Sequence, residues 1–218
     1  MIKHYLKVAF RNLMKYKPQS FVSIIGLAVG FTCFALSVLW IRYEMTYDTF
    51  HKGAERIYMV RAHYTDIPEH ISNSTPYPLA AYLQEKMPEI EAKATTSIHQ
   101  NVKIRMENDE YEVVMAAADS AFMNFFHIQL LKGTVNFLKE NNPEIAVTEE
   151  FAKKLFGSED DALGKEMEVN GRSRQIGAIV SGWSRHSNIP YSVLVAARHS
   201  PRWKSGPEQL FIRVRAGM

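Results

Sequence analysis

The sequence has no acidic residue in its N-terminal part. Residues 1–41 contain no Asp or Glu, but they carry five basic residues, Lys3, Lys7, Arg11, Lys15 and Lys17. The rest of the chain holds the other 21 Lys and Arg against 23 Asp and Glu, so the net charge of +3 comes from the N-terminus. Such a local excess is not an argument for nucleic-acid binding, and we expect no nucleic-acid partner.

Cysteine is almost absent as well. Cys33 is the only one, so the chain forms no internal disulfide. The residues after it must rely on a hydrophobic core, and roughly 175 residues are enough to bury one. With 46% hydrophobic residues, 11 Gly and 9 Pro, the composition excludes a disordered tail, a collagen-like repeat and a disulfide scaffold. We expect one domain, or one domain with an appendage.

The motifs of nucleotide binding and of serine hydrolysis are also missing. Leu163-Gly164-Lys165 lacks the rest of a phosphate-binding loop, so the sequence does not predict ATP binding through such a loop. Residues 182–186 come closest to a nucleophile elbow, but His186 stands where the sharp turn needs a Gly. Because no carboxylate close in sequence could orient His186, we interpret its surroundings, with Ser184 and Ser187, as a polar loop.

One group of residues resembles a metal site in composition. Imidazole and carboxylate groups that could bind zinc or nickel are found together at His63, Asp66, Glu69 and His70. Their spacing matches none of the recurring metal-binding motifs, so a solvated polar loop is the favoured interpretation. The sequence therefore predicts no metal, no cofactor and no enzymatic activity.

Residues 21–41 form an apolar run of 21 positions without a charge. A helix of this length spans roughly 30 Å of hydrocarbon. Because the basic flank precedes the run, the positive-inside rule keeps the N-terminus cytoplasmic and places residues 43–218 outside. A cleaved signal peptide is the alternative, but this run is longer than the usual apolar region of about 7–15 residues. We predict a cytoplasmic segment at 1–18, a transmembrane helix at 19–43 and an exported domain at 44–218.

The segment before the apolar run is predicted to be an amphipathic helix that Pro18 ends. Its apolar face is made by Ile2, Leu6, Ala9, Phe10, Leu13 and Met14. Beside that face lies a basic stripe, spaced by four residues: Lys3, Lys7, Arg11 and Lys15. Such a helix lies in the cytoplasmic membrane interface on anionic lipid. The simpler alternative is a basic flank that only sets the topology.

Gly26 and Gly30 lie four residues apart within the apolar run. Small residues at this spacing allow a second membrane helix to approach closely, so we consider a helix-packing role. The alternative is that Gly is simply frequent in membrane helices.

The exported segment alternates predicted strands and helices, which indicates an α+β fold. Strands are predicted at 56–65, 91–98, 101–107, 111–118, 144–147, 167–180 with a turn inside, 192–196 and 210–214. Helices are predicted from Thr75 to Met87, after Asp119 and over Glu149–Phe156. Asn170-Gly171 is the strongest hairpin signal. The polar loop at 134–142 suggests a subdomain break near 134–143.

Several stretches resemble the permeases of MacB/FtsX-type ABC transporters. Ala9-Phe10-Arg11-Asn12-Leu13 through Gly26–Gly30 is similar to their first membrane helix. Tyr47-Asp48-x-Phe50 and residues 55–60 are similar to the entry of their periplasmic core domain. Residues 146–157, with Leu163-Gly164-Lys165, resemble a second stretch of that domain. The likeness covers nearly the whole chain.

The resemblance implies a mixed α/β periplasmic domain, with a porter-like and a second small subdomain, on one N-terminal membrane helix. It also implies an inner-membrane location and a role in efflux or export, in which the domain transmits ATP-driven motion. The implied partners are a cytoplasmic ABC ATPase, the remaining permease helices or a second permease copy, the bilayer, and periplasmic or outer-membrane components.

Permeases of that family carry four membrane helices, whereas this chain has only the first. We therefore expect a fragment or a truncated gene product. A single-pass protein with a ligand- or partner-sensing α/β ectodomain is the alternative function. A membrane-anchored ectoenzyme is disfavoured, since no catalytic constellation is present.

Overall fold

The computed structural model describes residues 2–63, 71–106, 109–183, 187, 189–203 and 208–217. The chain divides into two compact units, Met1–Tyr47 and Asp48–Met218. We call them the N-terminal unit and the C-terminal unit. The division lies a few residues beyond the boundary predicted at 43–44.

The N-terminal unit consists of two helices, α1 (Ile2–Lys15) and α2 (Lys17–Met45). The chain leaves helical geometry at Tyr16, so the break comes before Pro18 and not at it. Pro18 lies in the first turn of α2, where a missing N–H costs no hydrogen bond. The amphipathic helix is therefore shorter than the predicted 1–18, and α2 is longer than the predicted 19–43.

Helix α2 is long and apolar enough to cross a membrane, and it is the one such helix among the described residues. None of its residues is buried in the structure, so its apolar side chains are available to lipid. Its polar side chains bond within the helix: the hydroxyls of Thr32 and Ser37 donate to carbonyls four residues earlier, at 2.8 and 2.9 Å. Internal bonding of this kind is what a lipid environment requires.

The C-terminal unit alternates strands and short helices. In chain order they are β1 (Ile57–Val60), β2 (Ala62–His63), β3 (Ile71–Ser72), α3 (Tyr77–Lys86), β4 (Ile90–Met106), β5 (Asp109–Ala118), α4 (Phe122–Phe126), β6 (Leu130–Gly133), β7 (Ile145–Thr148), α5 (Glu149–Phe156), α6 (Glu159–Ala162), β8 (Glu166–Val169), β9 (Arg172–Val180), β10 (Val193–Ala196) and β11 (Gln209–Val214). Two 3-10 helices, Ala54–Arg56 and Val135–Leu138, complete the set.

Nine of these strands form one mixed sheet with the order β1-β11-β4-β5-β10-β7-β9-β6, and β8 pairs with both β4 and β9. The β5–β10 and β7–β9 pairs are parallel, and the other pairs are antiparallel. Strands β2 and β3 form a separate hairpin. The fold is the predicted mixed α/β class.

Two hydrophobic clusters cover the sheet, and neighbouring residues of one strand enter different clusters. In β7, Ala146 belongs to the first cluster, whereas Ile145 and Val147 belong to the second. In β10, Leu194 belongs to the first cluster and Val193 to the second. Because side chains alternate across a strand, the two clusters lie on opposite faces of this part of the sheet. Helix α4 contributes to the first cluster, and α5 and α6 contribute to the second.

Most predicted strands and helices are confirmed, but two regions differ. Predicted strands 91–98 and 101–107 are one strand, β4, with a bulge between His99 and Val102. The polar segment at 134–142 holds the 3-10 helix Val135–Leu138, whose Phe137 is fully buried in the first cluster. Each cluster draws residues from both sides of 134–143, so the two clusters are not divided at that segment. Strand β6 was not predicted.

The predicted hairpin at Asn170-Gly171 joins β8 to β9. Both residues have positive φ, 48° and 76°, as a two-residue turn of this type needs. Met167, Val169 and Ile176 share the second cluster as predicted, but Ala178 belongs to the first. The cause is the irregular register around Gly177, where β9 changes face between Ile176 and Ala178.

Replacement of Gly171 by Val should destabilise the chain by about 1 kcal/mol or more, because a β-branched residue resists positive φ. A Cβ at this position would meet no atom within 4 Å, so the cost comes from the backbone alone. Thermal unfolding of the full chain in detergent measures it. Arg172→Val, on the next, exposed residue, is the control and should change the Tm little. Equal melting temperatures for Gly171→Val and the wild type would contradict the turn.

Candidate functional site

A cavity of about 390 Å³ lies in the C-terminal unit, beside the edge of the sheet formed by β1 and β11. This volume lies within the range of small-molecule sites in proteins, roughly 300–1,000 Å³. We call it the His51 cavity, after the most buried of its polar residues.

One wall of the His51 cavity is apolar. It is made by Ala54, Ile57, Met59, Phe126, Ile189 and Phe211. Met59 and Phe211 are direct partners in the β1–β11 ladder. The ring of Phe126 contacts that of Phe211 edge to face, at 5.3 Å between centroids. The wall is therefore continuous with the first hydrophobic cluster, to which Phe126, Ile189 and Phe211 belong.

The remaining lining is polar and comes from five residues, Asp48, His51, Arg61, Asn73 and Gln209. Asp48 and His51 lie on the segment that leads into β1, and Arg61 directly follows β1. A cavity with an apolar wall and a few convergent polar groups is the usual form of a ligand site.

His51 is 8% exposed and lies among aromatic rings. Its ring centroid is 4.2 Å from that of Phe50, 4.8 Å from Trp183 and 5.0 Å from Phe126. The Nε2 atom of His51 is buried and has no hydrogen-bond partner among the residues that the structure describes. Oδ1 of Asp48 is 4.0 Å from Nε2, which is beyond hydrogen-bonding distance.

Burial lowers the pKa of His51 below its ordinary value, because a charged imidazolium is disfavoured away from water. The carboxylate of Asp48 and a hydrogen bond to the backbone of Phe126 oppose this effect, whereas His127 adds to it. The net effect of these groups is a lowered pKa for His51. The ring is therefore neutral at pH 7, since the ordinary pKa of histidine is about 6.5.

Asp48, His51 and Ser187 are the residue types of a catalytic triad, but their arrangement is a different one. The hydroxyl of Ser187 donates to Oδ1 of Asp48 at 2.5 Å. In a triad the histidine lies between the serine and the carboxylate and removes the serine proton. Here the serine donates directly to the carboxylate, and His51 does not lie between them. The contact instead fixes Ser187 to the segment before β1, 139 positions away in sequence.

A second buried polar pair lies near Thr75, where an isolated bridge joins this residue to Glu208. Nδ1 of His199 is 3.1 Å from Oε1 of Glu208, and the His199 ring stacks on Tyr77 at 3.8 Å. Burial and the nearby carboxylates of Asp119 and Glu208 raise the pKa of Tyr77. Because Thr75 and Glu208 also share backbone hydrogen bonding, we interpret the pair as a structural connection.

The residues of the basic stripe, Lys3, Lys7, Arg11 and Lys15, are all exposed on α1. The side chains of Ile2, Leu6 and Ala9, from the predicted apolar face, lie outside the described side chains, and Phe10, Leu13 and Met14 are exposed. A Cβ added at Gly26 or Gly30 would meet nothing within 4 Å, so this surface of α2 is open.

The predicted polar loops lie largely outside the described residues. This holds for Asp66, Glu69 and His70 of the metal-like group and for Ser184 and His186, whereas His63 is exposed. Within the described ranges, no three His, Cys, Asp or Glu side chains are placed to hold a metal ion. The sequence analysis did not find the His51 cavity. The only sequence feature noted next to the cavity was the Tyr47-Asp48-x-Phe50 stretch of the family resemblance, which immediately precedes His51.

The low pKa of His51 should make the chain less stable in acid. An unfolded chain takes up the His51 proton near pH 6.5. The folded chain takes it up only at lower pH, so the free energy of unfolding falls as the pH drops from 6.5 through the folded-state pKa. His51→Gln removes this loss, so its Tm difference from wild type should shrink between pH 8 and pH 5.5. Exposed His99→Gln is the control, and a constant His51→Gln difference would contradict the assignment.

Three comparisons relate the chain to known proteins. The family model of the MacB-like periplasmic core domain matches residues 20–217. No curated protein sequence matches the chain. Among solved structures, a domain of a protein described as a permease, from Porphyromonas gingivalis, is similar with a TM-score of 0.63 and 21% identity; the match covers 77% of this chain and 79% of that one.

Two further structures have the same fold. One is the extracellular domain of the noncanonic ABC-type transporter YknZ from Gram-positive bacteria, with a TM-score of 0.53, 11% identity, and coverage of 73% of this chain and 82% of that one. The other is the periplasmic region of MacB from Actinobacillus actinomycetemcomitans, with a TM-score of 0.52, 13% identity, and coverage of 74% of each chain. Because the family model matches residues 20–217 of the 218 in the sequence, this chain belongs to the MacB-like periplasmic core domain family.

Proposed function

We propose that the chain is the N-terminal portion of an ABC transporter permease, in which the C-terminal unit transmits ATP-driven motion for efflux or export. One observation carries the proposal. The family match at 20–217 includes all but the first three residues of the membrane-length helix α2 and the whole sheet, which supports anchor and domain as parts of one family unit.

The architecture of the C-terminal unit supports a mechanical role. A domain that transmits motion has to resist deformation, and a nine-stranded sheet with a closed core on each face does so. Two of its helices are capped as well: the side chain of Thr148 accepts the N–H of Phe151 at the start of α5, at 3.3 Å, and that of Ser158 accepts the N–H of Asp161 at the start of α6, at 3.1 Å.

The charge distribution supports the membrane orientation that we propose. The basic stripe on α1 precedes α2, and no acidic residue occurs before Glu44. In this arrangement the N-terminus is cytoplasmic, α2 crosses the inner membrane and the C-terminal unit is periplasmic. Helix α1 then lies on anionic lipid at the cytoplasmic surface.

The partners that we propose follow from this orientation. A cytoplasmic ABC ATPase docks on the side of α1. The remaining permease helices, or a second permease copy, approach the open surface of α2 at Gly26 and Gly30, where an added Cβ would meet no described atom within 4 Å beyond the adjoining backbone of the helix itself. Periplasmic or outer-membrane components contact the C-terminal unit.

A sensory ectodomain is the second candidate, and the His51 cavity is the observation that favours it. In this alternative a ligand or partner binds the C-terminal unit and no ATPase is attached. Purification of the permease that contains this chain separates the two functions, because only the first predicts a bound ABC ATPase.

To test the ATPase side, Lys7, Arg11 and Lys15 are replaced by Gln in that permease, and the amount of co-purified ATPase and its ATP turnover are measured. Lys3 and Lys17 remain to set the topology. We expect most of the ATPase to be lost, since three charges that could pair with complementary charges on a docked partner are removed. Replacing the exposed Lys52, Lys139 and Arg172 by Gln is the matched control and should change neither quantity.

A reporter that is active only outside the cytoplasm, fused after Val214, verifies that the variants keep their orientation. Undiminished ATPase binding by the stripe variant would reject α1 as the docking side. ATP hydrolysis by the isolated 218-residue chain, sensitive to mutation within it, would contradict the proposed function itself.

A further inference from the structure

The segment Asp48–Gly53, which we call the strap, leads toward β1. Its two end residues have a left-handed backbone, with φ of 55° at Asp48 and 76° at Gly53. Between them, the N–H of His51 donates to the carbonyl of Asp48 at 3.3 Å, and the N–H of Ala54 donates to that of His51 at 3.0 Å. Left-handed residues are points at which a chain turns tightly. The strap is therefore a compact turn with a bend at each end.

Both ends of the strap are fixed to distant parts of the C-terminal unit. At the first end, the hydroxyl of Ser187 donates to Oδ1 of Asp48 at 2.5 Å. Just beyond the second end, Nη1 of Arg56 donates to Oε2 of Glu91 at 2.9 Å and to the carbonyl of Val214 at 3.1 Å. These attachments do not involve the middle of the strap.

The middle of the strap is attached through one buried side chain. Of the strap residues only His51 is buried, whereas Phe50 is 45% exposed and Lys52 is exposed. The ring of His51 lies 5.0 Å from that of Phe126 and 4.8 Å from that of Trp183. Phe126 is a buried member of the first cluster, and Trp183 packs against that cluster. The His51 ring therefore joins the strap to the first cluster.

The same ring separates two cavities. His51 and Phe126 line both the His51 cavity and a second cavity of about 400 Å³, which we call the Trp183 cavity after another of its lining residues. Because the two rings are common to both linings, they form the wall between the cavities. An exposed positive side chain lines each cavity, Arg61 in the His51 cavity and Lys52 in the Trp183 cavity.

A second proton on the His51 ring conflicts with its buried position. The ring bonds to the backbone of Phe126, and Nε2 has no partner among the described residues, so a proton on Nε2 finds no acceptor. Oδ1 of Asp48, 4.0 Å away, already accepts the hydroxyl of Ser187. Of the two titratable groups that act on the ring, Asp48 favours the imidazolium and His127 disfavours it. Burial outweighs the carboxylate, so the pKa of the enclosed ring lies below its ordinary value.

We propose that the strap is a gate that acid opens, in which a proton on His51 releases the middle of the strap from the rings of Phe126 and Trp183. Both anchored ends remain in place, so the opening is local and the sheet stays folded. Displacement of the His51 ring removes part of the wall between the two cavities and joins them into one groove. Acid thereby controls access to the His51 cavity. The proposal does not depend on an ATPase partner or on transport.

The direction of the pH effect follows from the two positions of the ring. In the open strap His51 is in water, where the ordinary pKa of histidine is about 6.5. In the closed strap burial lowers that pKa, so protons bind preferentially to the open form. As the pH falls below about 6.5, each unit raises the ratio of open to closed strap by up to about tenfold, until the closed ring titrates as well. The gate is therefore closed at neutral pH and opens in acid.

The test uses the full chain in lipid nanodiscs, with Trp40→Phe and Trp203→Phe so that Trp183 is the only tryptophan. Acrylamide quenching of Trp183 fluorescence measures how far solvent reaches the ring that His51 contacts. We expect the quenching constant to rise by about twofold or more between pH 8 and pH 5, because the open form replaces the closed one. Circular dichroism over the same range should stay constant, since the opening is local.

Three variants assign the effect to His51. His51→Phe keeps an aromatic ring that takes up no proton, so its quenching constant should be the same at both pH values. A looser strap in this variant would raise the constant equally at both. His127→Gln removes the other histidine that acts on the ring and should keep the rise. Exposed His99→Gln, on β4, is the matched control and should behave as the wild type does.

Four outcomes would overturn the proposal. A fall in Trp183 emission with an unchanged quenching constant would show that His51 takes up its proton inside a closed strap. No change in either quantity would show that the strap stays closed in acid. A rise that persists in His51→Phe would assign the opening to another group, and a rise with a loss of the circular dichroism signal would show global unfolding. None of these results affects the proposed permease function, which is measured through the ATPase.

Discussion

The ladder of β4 with its neighbours is the constraint on which the rest of the C-terminal unit depends. This strand has 17 residues and pairs with β11 over its first half, with β5 from Thr96 to Met106, and with β8 at Ile104 and Arg105. The bulge between His99 and Val102 shifts the register where the first cluster gives way to the second. One strand therefore connects both hydrophobic clusters and fixes their relative position.

The His51 cavity is a consequence of the same ladder. Strand β11 is held by β4 on one side and presents Phe211 and Gln209 beside β1 on the other. The segment Asp48–Gly53 closes over this edge, fastened by the hydroxyl of Ser187 on Asp48 and by the rings around His51. A buried imidazole with an unpartnered nitrogen costs stability, since desolvated polar groups need partners.

The sequence predicted those parts of the fold that are set by neighbouring residues. Asn170-Gly171 determines its own turn geometry, and Thr148 with Gly157 marks both ends of α5. Features that depend on contacts between residues far apart in the sequence were not predicted. Strand β6 has exposed Leu130 and Leu131 and becomes a strand only through pairing with β9. Asp48 and Ser187 are far apart along the chain, so no local pattern could predict their contact or the cavity beside it.

The central claim is the mechanical role that we propose, which requires the C-terminal unit to behave as one rigid body, and native-state hydrogen exchange of the full chain tests this requirement most directly. Amides of β4 on both sides of the His99–Val102 bulge report on the two clusters separately. If the ladder joins the clusters into one cooperative unit, the slowest amides on both sides open with the same free energy. A difference of more than about 1 kcal/mol between the two sides would show that the clusters open independently, and would contradict the account.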